Sequence, residues 1–149
     1  MKKSSKIRYD SQIPASVLPE IQKYVDPLAW MVPDWCQDIT ILWCDEPVPQ
    51  GEDQPTISCN ANYEYRWVSI RFFPGFLTMH EDDKPFAVFH DMLHAFTCIL
   101  ADYARDTLSN LIADDAPLLK KTILTELTAR HEAMTQDLTY CFARRISSS

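Results

Sequence analysis

Apolar positions along the chain keep changing their period, and each change marks an element. From Pro14 to Trp30, residues Val17, Leu18, Ile21, Tyr24, Val25 and Leu28 recur every three or four positions, with Glu20, Gln22 and Lys23 between them. That is the pattern of a helix with one apolar face. Pro14 suits its first turn and Pro33 ends it at the latest. The stretch Asp38 to Cys44 (DITILWC) is β-branched and aromatic, the composition of a strand. Asp45 to Pro55 is polar and holds Pro47, Pro49, Gly51 and Pro55, which predicts a loop. Thr56 to Tyr63 and Glu64 to Phe73 follow as two strands of a hairpin turning near Asn60-Ala61-Asn62. The second strand alternates strictly, with Arg66, Val68, Ile70 and Phe72 on one side and Tyr65, Trp67, Ser69, Arg71 and Phe73 on the other. Pro74-Gly75 stops it.

After Pro85 the period returns to that of a helix and stays there. Pro85 to about Asp102 is apolar on most faces, through Phe86, Val88, Phe89, Met92, Leu93, Phe96, Ile99, Leu100 and Tyr103, as expected of a helix at the centre of a core. Leu108, Leu111 and Ile112 either extend it or form a short helix of their own. Asp114-Asp115-Ala116-Pro117 starts another helix, which runs to about Arg145. Its predicted buried side is Leu118, Leu119, Ile123, Leu124, Leu127, Met134, Leu138, Cys141 and Phe142. The predicted order is one helix, a small three-stranded sheet and two long helices, an α+β class with segregated elements.

Composition narrows the functions available to such a fold. At 149 residues the chain is predicted to be one domain, with polar tails at residues 1–6 and 147–149 expected to be disordered. The net charge is -7, and basic residues cluster only at Lys2-Lys3, Lys120-Lys121 and Arg144-Arg145. A surface that tracks phosphates is not expected, so no nucleic-acid partner is predicted. With only Gly51 and Gly75, no Gly-rich phosphate loop is possible. Five widely spaced cysteines, an odd number with no CxxC pair, favour buried thiols in a reducing, cytoplasmic setting. No signal peptide is visible, and no apolar run reaches the ~18 residues a membrane span requires.

The candidate chemistry lies on the core helix, in His90-Asp91-Met92-Leu93-His94. Histidines at i and i+4 share a helical face, and their ring nitrogens can converge on one metal ion about 2 Å away. Buried imidazoles need a partner for each ring nitrogen, and a carboxylate such as Asp91 needs a cation or donors nearby. A metal site meets both needs. Glu126 and Glu132 on the last helix are candidates for a third ligand. Six residues turn a helix through about 600°, so the two cannot aim at one ion.

The segment FAVFHDMLHAF resembles the active-site helix of the minimal gluzincins, small zinc metallopeptidase-like domains that include SprT-like and phage-encoded members. Their order is also helix, short sheet, HExxH helix and glutamate-bearing helix. The resemblance covers roughly Ile39 to Arg144 and implies a zincin-like fold. It implies zinc bound by His90, His94 and a glutamate, with Glu132 favoured because RHEAMTQDLTYCFA is similar to the family's glutamate helix. It also implies Asp91 as general base and hydrolysis of a peptide or protein substrate. His131 is a candidate for stabilising the oxyanion, with Tyr103, Arg130 and Tyr140 as others, and His80 is a possible rim residue. The sheet edge that would take a substrate strand is expected at Glu64 to Phe73 or Asp38 to Cys44. One position departs from the family pattern: Asp91 stands where the motif has glutamate. Its carboxylate falls short by about 1 Å, a misplacement that can cost on the order of 100-fold in rate. A zinc-binding interaction module with weak or no catalysis is therefore the alternative expectation.

Overall fold

The computed structural model describes residues 6–46, 55–62, 64–112 and 116–146, without the side chains of 143–146. In order, the elements are β1 (Ile7–Tyr9), α1 (Leu18–Val25), a 3₁₀ helix (Asp26–Met31), β2 (Asp38–Trp43), β3 (Ile57–Asn62), β4 (Trp67–Phe72), α2 (Pro74–Thr78), α3 (Lys84–Leu111) and α4 (Pro117–Ile146). The class is α+β. Contacts divide the chain into two compact units between Ala95 and Phe96. Most of the predicted tails, residues 47–54 of the predicted loop and the Asp114-Asp115 helix start lie outside the described residues.

The first unit is built on a four-stranded sheet of order β1-β2-β4-β3. β1 pairs parallel with β2, β2 parallel with β4, and β3 antiparallel with β4. The alternation read from the sequence holds in β4 except at Ser69: Val68, Ile70 and Phe72 are buried and Trp67 and Arg71 exposed, but Ser69, expected on the outer side, is buried too. Ile39 and Ile41 lie beside Val68 and Ile70 in the register and are fully buried with them. Parallel pairing and packing on a helix explain why these strands are rich in β-branched residues.

Five expectations need correction here. The sheet has four strands, because Ile7–Tyr9 adds a strand too short to show a period. Lys6, placed in the tail, instead donates from Nζ to the carbonyls of Pro33 and Cys36 at 3.2 and 3.0 Å. The strands expected at the edge, β2 and β4, are both interior, and the outer strands are β1 and β3. The hairpin turns after Asn62, over Glu64 to Arg66, where the Asn62 side chain accepts from the Tyr65 amide at 2.9 Å and Arg66 takes φ 58°. The first helix is also shorter than predicted, because Pro27 lacks the N–H that would continue the α ladder and the chain tightens into the 3₁₀ helix.

The start of α3 is anchored by charge. Lys84 is 3% exposed, yet its ammonium donates to Glu20 at 2.8 Å and to Glu81 at 2.5 Å, and it stands 5.5 Å from the Phe76 ring centre. Tyr24 donates its hydroxyl to Glu81 at 2.6 Å, and Lys23 adds an ion pair at 3.0 Å. Phe76 in turn packs edge-on against Phe72 and Tyr24. This cluster ties α1, α2 and the strand end to the first turn of the histidine helix.

The second unit holds the rest of α3 and all of α4, and here the predicted core side of α4 is overturned. Leu118, Leu119, Met134 and Phe142 are 78%, 54%, 40% and 42% exposed, and Cys141 is exposed too. Ile123, Leu124, Leu127 and Leu138 are half-buried. Among the described residues, the fully buried positions of α4 are Thr135 and Thr139. Each threonine donates its hydroxyl to the carbonyl four residues back, Thr135 to His131 at 3.0 Å and Thr139 to Thr135 at 2.7 Å. A hydroxyl satisfied by its own helix can be buried at little cost, leaving the methyl group to pack.

Candidate metal centre

α3 presents its histidines on the face that the core leaves free. At 100° per residue, Val88, Met92 and Ala95 lie opposite His90 and His94. All three are fully buried, whereas both histidines are half-buried. The two rings meet edge to face, with centres 4.9 Å apart and planes at 83°. Their Nε2 atoms are 3.2 Å apart. Two ligands of a tetrahedral zinc ion at 2.0–2.1 Å stand about 3.3 Å apart, so the spacing already suits a shared cation.

On α4, Glu132 is exposed and His131 is half-buried. One ligand atom from each of His90, His94 and Glu132 lies within 4.8 Å of the other two. Glu126 is held elsewhere: it accepts from Arg130 Nε at 2.7 Å, in an i,i+4 pair on the exposed surface of α4. Two imidazoles and a carboxylate form a borderline donor set suited to zinc.

The other candidates occupy more ordinary positions. Asp91, next to His90, is half-buried. His131 Nε2 is engaged by the Thr97 hydroxyl at 2.7 Å. Tyr103 and Tyr140 are 73% and 52% exposed. His80 sits in an exposed turn where its Nδ1 accepts from the Asp82 amide at 3.3 Å.

No family model, no curated protein and no solved structure matches this chain. The chemistry therefore rests on the residues alone.

Sequence reasoning missed two features here. Thr97 continues the histidine face at the next turn, in the series 90, 94, 97, a spacing visible in the sequence once the pair is taken as a seam. Lys84 stands just before Pro85 in what reads as a polar leader, and nothing local signals its burial. The cysteines are thiols among the described residues: Cys36 is buried and Cys141 exposed. Burial pushes the Cys36 thiol above its ordinary value, and its Sγ donates to the Asp38 carbonyl at 2.9 Å. Among the described residues, no helix is long and apolar enough to cross a membrane.

Proposed function

We propose that the chain binds one zinc ion through His90, His94 and Glu132 and hydrolyses peptide bonds as a gluzincin-type metallopeptidase. The observation that carries this reading is the convergence of the three ligand atoms within 4.8 Å. Three protein ligands are the mark of a catalytic zinc site, since structural sites are almost always closed by four. The exposure of Glu132 leaves the ligand set open to solvent on that side. The order of sheet, histidine helix and glutamate helix supports the resemblance read from FAVFHDMLHAF.

A zinc ion held there would supply Lewis acidity, lowering the pKa of a water to near neutrality. Asp91, the residue after the first histidine, would serve as the base that takes a proton from that water and passes it to the leaving amine. His90 and His94 would hold the cation through ring nitrogens, their Nε2 atoms standing 3.2 Å apart.

Elemental analysis of the purified chain tests the first half: one zinc per chain is expected, lost in His90→Ala and in His94→Ala. Chelator-sensitive cleavage of an unfolded protein such as casein, abolished in Asp91→Ala, tests the second. A metal-free chain with unchanged folding in the double histidine variant would end the proposal.

The short side chain of Asp91 favours a second reading, a zinc-binding interaction module without catalysis. Asp91→Glu separates the two. Hydrolysis that appears only in the glutamate variant identifies a decayed enzyme, and hydrolysis already present in the natural chain identifies an active one.

A further inference from the structure

We propose that Thr97, acting with Thr135, is a positioning residue that fixes the turn of α4 carrying Glu132. This inference rests on the zinc reading above.

The hydroxyl of Thr97 lies 2.7 Å from His131 Nε2 and 3.3 Å from the Thr135 hydroxyl. Thr97 is 7% exposed and Thr135 fully buried. Thr135 also donates its hydroxyl to the His131 carbonyl at 3.0 Å. The contacts form a ring that leaves from the His131 side chain, passes through Thr97 and Thr135 and returns to the His131 backbone. It clamps residues 131–135 of α4 onto α3 at Thr97.

Glu132 is inside that clamped turn, and Thr97 is on the same face of α3 as His90 and His94, three residues beyond the second. Sliding α4 by one residue moves the Glu132 backbone by about 1.5 Å along the helix and about 100° around it. The apolar contacts of α4 are loose, since much of its apolar side is exposed. The directional bonds of the threonine–histidine ring therefore set the register. His131 Nε2 is engaged with the Thr97 hydroxyl, which makes it part of the clamp.

The test measures zinc affinity by competition with a chromophoric chelator on the full chain. It compares the natural protein with Thr97→Val, Thr97→Ser and Thr135→Val, and takes thermal melts of each metal-free form. Partners that orient metal ligands typically contribute about 10–100-fold in metal affinity. A loss of that size is expected in both valine variants, with recovery in Thr97→Ser and metal-free melting close to that of the natural chain. If the natural chain binds zinc and both valine variants bind it equally well, the positioning role is overturned while the zinc reading stands. Loss of affinity that only tracks loss of metal-free folding also overturns it. A natural chain that binds no zinc removes both.

Discussion

At the scale of single residues, the proposed chemistry depends on which side chains hold the ion and which one moves a proton. His90 and His94 are ligands in the proposal because their Nε2 atoms already stand 3.2 Å apart. Glu132→Gln is expected to weaken zinc binding at least tenfold in chelator competition. Glu126→Gln should leave it unchanged, because Glu126 is occupied by Arg130 on the exposed surface. Equal losses in the two variants would count against the assignment of Glu132. Asp91→Asn keeps the side-chain shape but cannot accept the proton. It is expected to retain one zinc per chain and to lose on the order of 10²–10⁴ in kcat/KM, the usual contribution of a positioned base. A fall in zinc content in that variant would instead make Asp91 part of the metal's holding structure.

At the scale of elements, α3 carries the two histidines, and the cluster around Lys84 ties its first turn to α1 and α2. Met92 is fully buried on the face opposite the histidines. Met92→Ala should cost about 2–5 kcal/mol in denaturant unfolding, through lost burial and the cavity left behind. The Lys84 cluster makes a pH-dependent contribution. Hydrogen bonds from Lys84, then from Tyr24 and Lys23, lower the pKa of Glu81 from 4.5 to about 2. A depressed carboxylate stabilises the fold above its unfolded value and loses that contribution as pH falls through its folded value. The stability gap between the natural chain and Glu81→Gln should therefore be constant above about pH 4.5 and close toward pH 2. Lys84 is shifted the other way, raised above 10.5 by its bonds to Glu20 and Glu81. Its contribution is complete at neutral pH and is lost only in strong alkali. A gap that persists unchanged at pH 2 would show that Glu81 makes no such linkage.

At the scale of the whole molecule, metal binding and folding are linked. An ion that binds only the folded chain stabilises it by about 2.7 kcal/mol at a concentration 100 times its Kd. For a chain of this length that corresponds to a rise of roughly 5–10 °C in Tm. Zinc is expected to raise the Tm of the natural protein and to leave that of the His90→Ala/His94→Ala double variant unmoved. An equal shift in both would place the binding elsewhere. The net charge of -7 also makes a broad anionic ligand an unfavourable partner.

Local pattern alone determined the alternation of Val68, Ile70 and Phe72, the helical run through Met92, and the shared face of His90 and His94. These depend on backbone period, which a sequence displays directly. Tertiary structure decided the rest. β1 is a strand only because β2 offers it hydrogen-bonding partners and Lys6 reaches Pro33 and Cys36. β2 and β4 are interior because the chain pairs them in parallel, a long-range choice that short apolar runs do not encode. α4 buries Thr135 and Thr139 in place of its leucines because back-bonded hydroxyls and a facing Thr97 make a polar seam inexpensive to bury. Glu126 and Glu132 are equivalent in composition, and only the structure shows that Glu126 is paired with Arg130 on the exposed surface of α4.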